Sequence, residues 1–358
     1  SDNLNEAIIQ NIYILKIMNT HDKKINFLFL KWLSISLILI FFIIIVGGLT
    51  RLTNSGLSIT EWELFKGIFP PLNYSTWIAY FDLYKKIPQY KLMNYNMSLN
   101  EFKIIFYWEY FHRILGRVIG IFFLIPLLYF HFTSKIKYQY LLNCYLILFF
   151  IILQGIVGWY MVKSGLVNNI SVSHYRLSLH LSLAFIIISS IFWLIINIKD
   201  NKYKHFFKFT KINLPFLLLI FLIFFQIIFG AFVSGLDAGK IYQTWPLMGN
   251  SYFPNDIEMN NIKKFLNLNS HSLVQFYHRN LAYLISIYIL ITGFIIYRRG
   301  IKKLYRPLKL VLVFLLLQIL LGIFTLISGL NIFFASSHQI ISVLLVFSSI
   351  NLYYNNIK

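Results

Sequence analysis

The sequence predicts an all-α integral membrane protein whose eight transmembrane helices form two tandem four-helix bundles related by a pseudo-two-fold axis. Three observations carry that expectation. Of the 358 residues, 58% are hydrophobic and 12% charged, with a mean hydropathy of +0.68, too apolar for a water-soluble chain of this size. Eight continuous apolar runs lie near 31–50, 104–130, 139–162, 175–197, 212–234, 273–297, 307–328 and 332–354. Each approaches the roughly 20 residues needed to cross about 30 Å of hydrocarbon as a helix. A spanning β-barrel would show short alternating segments instead. Third, the chain repeats itself, as set out below.

The elements follow in order. Residues 1–30 form an N-terminal tail with Lys16, Lys23 and Lys24 and no Arg, a poor targeting peptide, and the apolar run after it is long enough to stay as a helix. The first four spans, 31–198, make the N-terminal bundle; a basic linker, 199–211, leads to the C-terminal bundle, 212–358. Gly116 and Gly120, four apart on the second span, suit close helix packing. The single cysteine, Cys144, lies in an apolar run and forms no intrachain disulfide.

The net charge of +20 follows topology rather than a nucleic-acid-binding face. Five lysines crowd 198–211, and Arg298, Arg299, Lys302, Lys303, Arg306 and Lys309 crowd the next loop on that side. The opposite loops, 52–103 and 235–271, dilute their Lys with Glu61, Glu63, Asp82, Glu101, Asp237, Asp256 and Glu258. Positive-inside placement then puts both termini on the cytoplasmic or matrix side.

The odd spans all end on one tripeptide: Ser55-Gly56-Leu57, Ser164-Gly165-Leu166, Ser234-Gly235-Leu236 and Ser328-Gly329-Leu330. Three of them carry Gln four residues before Gly, at Gln154/Gly158, Gln226/Gly230 and Gln318/Gly322; the first has only Gly47. Phe111-His112-Arg113 on the second span matches Tyr277-His278-Arg279 on the sixth. Four spans per half is an even number, so both halves enter the membrane in the same direction.

Four histidines, His112, His180, His278 and His338, sit a few residues inside the outer ends of the even spans. An imidazole in hydrocarbon needs a partner, and one histidine from each of two facing helices grips haem iron from both axial sides. A lone histidine here would be read as an interhelical hydrogen bonder; four at one depth favour haem. The pairs can form within the halves or across them. Zinc suits the sequence less, since no Cys and no closely spaced His accompanies them. His21, His131 and His205 belong to inner loops, and His174 and His271 are expected at the surface of outer helix starts. Arg113, Arg117 and Arg279 call for an anion such as a haem propionate, or for carbonyls or lipid phosphate.

The halves differ at one position. Glu109 stands three residues before His112, on the same helix face, and Gln275 stands three before His278. A carboxyl in an apolar site can carry protons, which makes the first half the candidate for a reaction and the second for electron transfer.

These residues resemble the haem A synthase family. The resemblance rests on Gly47-Gly48-Leu49-Thr50-Arg51-Leu52-Thr53, Ser55-Gly56-Leu57-Ser58, Trp62, Pro70-Pro71 and Glu109-Tyr110-Phe111-His112-Arg113-Ile114-Leu115-Gly116-Arg117. Gly235-Leu236-Asp237-Ala238-Gly239, Trp245-Pro246-Leu247-Met248, Val274-Gln275-Phe276-Tyr277-His278-Arg279 and His338-Gln339 extend it over everything after residue 30. A first outer loop with Tyr84, Pro88 and Met97-Ser98-Leu99 and no cysteine pair is similar to the mitochondrial and alphaproteobacterial branch. The resemblance implies oxidation of the C8 methyl of haem O to a formyl group, giving haem A for terminal oxidases. It implies a substrate site at His112 and His180 with Arg113 and Arg117, Glu109 as the essential carboxylate, and a haem b cofactor at His278 and His338 with Gln275 and Arg279. Haem O synthase upstream, a ferredoxin-type or other electron donor and terminal oxidase assembly factors would be its partners, in a bacterial inner or mitochondrial inner membrane. A dihaem, quinol-linked electron carrier and a haem transporter are the alternatives, and neither needs a carboxyl in one half only.

Overall fold

A computed structural model describes residues 2–61, 66–133, 136–167, 169–257 and 265–357, with side chains from Ile25 onward, Lys66 aside. Trp62, Glu63 and Glu258, and the side chains of Lys16, Lys23, Lys24 and His21, lie outside the described residues.

Among the described residues there is no β-strand, and ten α-helices follow in order: α1 Asp2–Leu52, α2 Tyr74–Tyr84, α3 Pro88–Met93, α4 Leu99–Thr133, α5 Tyr138–Lys163, α6 His174–Lys199, α7 Leu214–Gly235, α8 His271–Arg298, α9 Tyr305–Ile327 and α10 Ile332–Asn356. Eight are long and apolar enough to cross a membrane: α1 over Ile25–Leu52, and α4 to α10. They coincide with the eight apolar runs. The short α2 and α3 belong to the first outer loop.

Two boundaries differ from the sequence expectation. The helix of the first span runs back without a break to Asp2, through the segment expected as a separate tail. The second span begins at Leu99 rather than 104, because Ser98 and Glu101 make a capping box: the Ser98 N–H donates to Glu101 Oε2 at 2.8 Å, and the Glu101 N–H to Ser98 Oγ at 3.3 Å. Two helix donors are thereby satisfied one turn ahead of the apolar run.

In the N-terminal half α1 packs on α4 and α6, and α5 on the same two helices; in the C-terminal half α7 packs on α8 and α10, and α9 on those two. The halves meet through α6 and α7, α1 and α10, and α6 and α10, where Phe192 and Phe347 stack at 4.4 Å. Gly120 faces open space and Gly116 meets only Ile43 at ordinary contact distance, so this glycine pair does not mediate the close approach expected of it. Cys144 is buried and free.

The Ser-Gly-Leu endings gather at one end of the bundle and interlock. A Cβ on Gly165 would lie 2.8 Å from Leu57, and one on Gly239 would lie 2.7 Å from Leu330, so leucines of these turns press directly on glycine backbone. Arg51, at the end of α1, reaches across the halves to the Ser234 carbonyl at 2.6 Å and Asp237 at 3.1 Å. At the opposite end the 200–213 loop closes over the C-terminus, with Lys204 Nζ donating to the Tyr354 and Ile357 carbonyls at 3.0 and 2.8 Å. The described parts of both long loops, 53–98 and 236–270, therefore share one end of the molecule, and α4, α6, α8 and α10 each start there.

Candidate functional site

Each deep histidine lies against a glycine of the preceding span. A Cβ on Gly47, Gly158, Gly230 or Gly322 would stand 2.9, 3.0, 3.2 or 3.0 Å from Cε1 of His112, His180, His278 or His338 respectively. The glycine repeat is thus a set of four seats for imidazole rings, since any larger residue would fill the seat. The glutamines one turn earlier fasten three of these histidines. Gln154 donates to the His180 carbonyl at 3.0 Å, Gln226 to the His278 carbonyl at 3.0 Å, and the Gln318 carbonyl lies 3.0 Å from His338 Nδ1. The first span has Ile43 in place of that glutamine.

The rings of His112 and His180 face each other with centres 6.4 Å apart and planes at 66°. Two metal–imidazole bonds of about 2 Å, plus about 1.1 Å from each nitrogen to its ring centre, place trans axial histidines about 6 Å apart. The spacing fits an axial pair. Nδ1 of both rings is buried without a hydrogen-bond partner, a cost that a bound group can relieve. His278 on α8 and His338 on α10 belong to the other half, each against its own glycine, Gly230 and Gly322. Among the described residues no group of three or more His, Cys, Asp or Glu side chains gathers as a metal cage. Two donors per site suit an iron whose remaining positions are filled by a macrocycle, and the donor set therefore fits haem.

Glu109 is 3% exposed, but its surroundings are not apolar as expected. Oε2 accepts from Ser58 Oγ at 2.7 Å and from the Ile59 N–H at 2.9 Å, while Oε1 pairs with Arg113 Nη2 at 2.5 Å. The loop after α1 folds down onto α4 and supplies these donors from some 50 residues away. Arg113 also donates to the Ile59 carbonyl at 2.9 Å and Arg117 to the Gly67 carbonyl at 3.2 Å. A cavity of about 20 Å³, the size of one water, lies between Glu61, Tyr110, Arg113 and Arg117.

The corresponding corner of the C-terminal half is built with opposite polarity. Gln275 donates through Nε2 to the Tyr242 carbonyl at 2.8 Å, and Arg279 donates to that carbonyl at 3.1 Å and to Leu247 at 3.2 Å. All three arginines thus engage loop carbonyls. One turn above Gln275, Asp256 accepts from Tyr242 Oη at 2.8 Å and Ser272 Oγ at 2.6 Å, tying the loop to α8. Partial burial pushes the Asp256 carboxyl up, but the Ser272 and Tyr242 hydroxyls together with a backbone N–H hold it below the usual carboxylate range.

Histidine 174 is a correction: it is buried, 8% exposed, because Gly235 and Phe232 of α7 press on it at the junction of the halves. His271 is exposed, as expected. Sequence reasoning missed Ser58 and Ile59, the loop partners of Glu109, and Asp256. It registered the Gln and Gly repeat only as repetition, although one turn between them is the spacing that lets a helix hold a ring and its backbone together.

Fold and site together define a polytopic membrane protein that presents four glycine-seated histidines from its helices, two of them, His112 and His180, facing each other beside a buried Glu–Arg pair. The sequence model of the family described as cytochrome oxidase assembly protein (COX15-CtaA) matches residues 30–350. A protein named Heme A synthase from Pelagibacter ubique is 50% identical over 92% of this chain and 97% of its own length. Proteins of the same name from Rickettsia felis and Flavobacterium johnsoniae are 39% and 38% identical, over 88% and 90% of this chain and 94% and 96% of theirs. The chain belongs to this family, the haem A synthases, and is a membrane oxidoreductase.

Proposed function

We propose that this enzyme oxidises the C8 methyl of haem O to the formyl group of haem A between His112 and His180, and that a haem b sits between His278 and His338. Residues 31–198 then form the substrate bundle, 212–358 the cofactor bundle and 199–211 the linker, with a pseudo-two-fold axis along the membrane normal. The observation that carries the assignment of the halves is the single break in their likeness, Glu109 against Gln275.

Turning a methyl into a formyl group removes four electrons and adds one oxygen atom; with dioxygen as the oxidant, CH3 + 2 O2 + 4 H+ + 4 e− → CHO + 3 H2O, so protons and donor electrons must reach the site. Bound at its histidine pair, haem b supplies one-electron transfer. The protein residues do the rest. Glycine seats hold the His112 and His180 rings at a fixed spacing. Glu109 lies one turn from His112 on the same face and takes up a proton at Oε2 when the Ser58 hydroxyl turns away, with Arg113 holding Oε1. Arg117, beside the water-sized cavity, borders the exit toward the outer loop.

The Lys and Arg of 198–211 and 298–309 favour a cytoplasmic or matrix side for both termini, in a bacterial inner or mitochondrial inner membrane. Reporter fusions in 53–98 and 200–213 should score on opposite sides. Haem O synthase is the upstream partner, a ferredoxin-type or other donor supplies electrons, and terminal oxidase assembly factors receive the product. Pigment extraction from membranes co-expressing haem O synthase tests the reaction. Haem A in the extract is expected; haem O unchanged beside retained haem b would instead make the protein a dihaem electron carrier.

A further inference from the structure

Helix α1 carries two glycines in a row, and only the first is used by the site described above. Gly47 seats His112. Gly48 faces the other half, where a Cβ would stand 1.9 Å from Oε1 of Gln339, so the amide occupies the space a side chain would take. The same amide donates through Nε2 to the Ile44 carbonyl at 2.9 Å, one helical turn before Gly48. Gln339 is the residue directly after His338. One two-residue step of α1 therefore touches the first ligand of the N-terminal pair and the neighbour of the last ligand of the C-terminal pair. Apart from Arg51 at the outer end, this is a direct polar link from α1 to the C-terminal half at the depth of the histidines.

We infer that Gln339 is a positioning residue that couples the two histidine pairs: it fixes α10 against α1 through Gly48 and Ile44, and thereby sets the seat of His112 from the far half. The chemistry supports a two-sided role. An amide in a low-dielectric interior with its Nε2–H bonded to a helix carbonyl resists sliding of one helix past the other, because any slide breaks a hydrogen bond that water cannot replace. Gly48 is required on the facing helix only because the amide lies flat on it. His338 itself does not depend on Gln339, since the Gln318 carbonyl and amide hold its ring at 3.0 and 3.2 Å. A change at Gln339 should therefore reach the distant pair while sparing its own neighbour.

The inference rests on the bis-histidine reading, and the test separates the two. Gln339→Leu and Gly48→Ala are made singly and together in the full-length protein, and the low-spin electron paramagnetic resonance signals of the two haem sites are recorded after loading with haem O. Gly48→Ala should fold, because it meets only the far end of a flexible side chain. The expected result is a shifted His112/His180 signal in each single variant, no further shift in the double variant, and an undiminished His278/His338 signal throughout. Such non-additivity marks residues that act through one contact. A purely local role for Gln339 would alter only the second signal. An unmoved first signal in both variants, loss of haem b in Gln339→Leu, or shifts that simply add would each overturn the coupling while leaving the ligand assignment intact. A parent protein holding haem at neither pair would overturn the bis-histidine reading and this inference with it.

Discussion

In the N-terminal half the loop after α1 turns two donors, the Ser58 hydroxyl and the Ile59 N–H, toward a carboxylate on α4. The loop after α7 in the C-terminal half turns an acceptor, the Tyr242 carbonyl, toward an amide on α8. The helices around these corners are alike: a glycine seat, a histidine, an arginine four residues after the Glu or Gln. What differs is the polarity of the loop laid over them. A duplicated scaffold can thus differentiate its two corners without altering the histidine and glycine framework, because a reversed loop hydrogen bond decides which side chain, acid or amide, is at home beside the histidine.

The largest effect should come from the histidines themselves. Replacing His278 or His338 by Ala should abolish the low-spin b-type spectrum of the purified protein, whereas replacing His112 or His180 should leave it in place; survival of the b spectrum in both C-terminal variants would reverse the assignment of the halves. Next is Glu109→Gln, which gives the first half the residue of the second. Its amide oxygen can still accept from Ser58 and Ile59, but its NH2 group faces Arg113, and no titrating proton remains. Haem A production should fall by about 10²–10⁴-fold with haem b content unchanged. Normal production in that variant would remove the proton role while leaving the family membership untouched.

The reciprocal change, Gln275→Glu, sets a carboxylate oxygen against the Tyr242 carbonyl, beside Arg279. It should cost about 1–3 kcal/mol of stability, seen as a lower melting temperature of the haem b protein, and should create no second active site. Gly322→Ala should move the His338 ring by a few tenths of an ångström and shift the b-type absorption band without releasing the haem. The smallest effect is at Asp256. Its folded carboxyl titrates below its unfolded value, so its contribution is present above about pH 4 and lost as pH falls through the folded value. Hydrogen exchange of the 236–257 loop should accelerate only in that acid range, and Asp256→Asn should flatten the dependence.

Several parts of the site were legible before any coordinates. The eight spans lie within a few residues of their apolar runs, apart from the early starts of the first two helices, and the even-span histidines stand at one end as their spacing implied. The Glu109/Gln275 break was visible because both residues keep the same register to a histidine on one helix. Less of the electrostatics was legible. The sequence does not say which carbonyls Arg113 and Arg117 reach, Ile59 and Gly67, or that Arg113 pairs with Glu109; it places His174 at the surface, and α7 buries it. Each of these depends on a segment roughly 50 or more residues away folding onto the residue in question.

Sequence by itself determined the membrane class, the number of spans, the internal repeat and which side chains can ligate, because the bilayer imposes a length and a polarity that every span must satisfy locally. Only the tertiary structure decided that His112 faces His180, that the repeated glycines are ring seats, that Glu109 is held by donors rather than apolar groups, and that Gln339 reaches across to Gly48. Those outcomes depend on how helices and loops approach one another, and a hydrogen bond or a glycine contact between distant segments leaves no period in the sequence from which to read it.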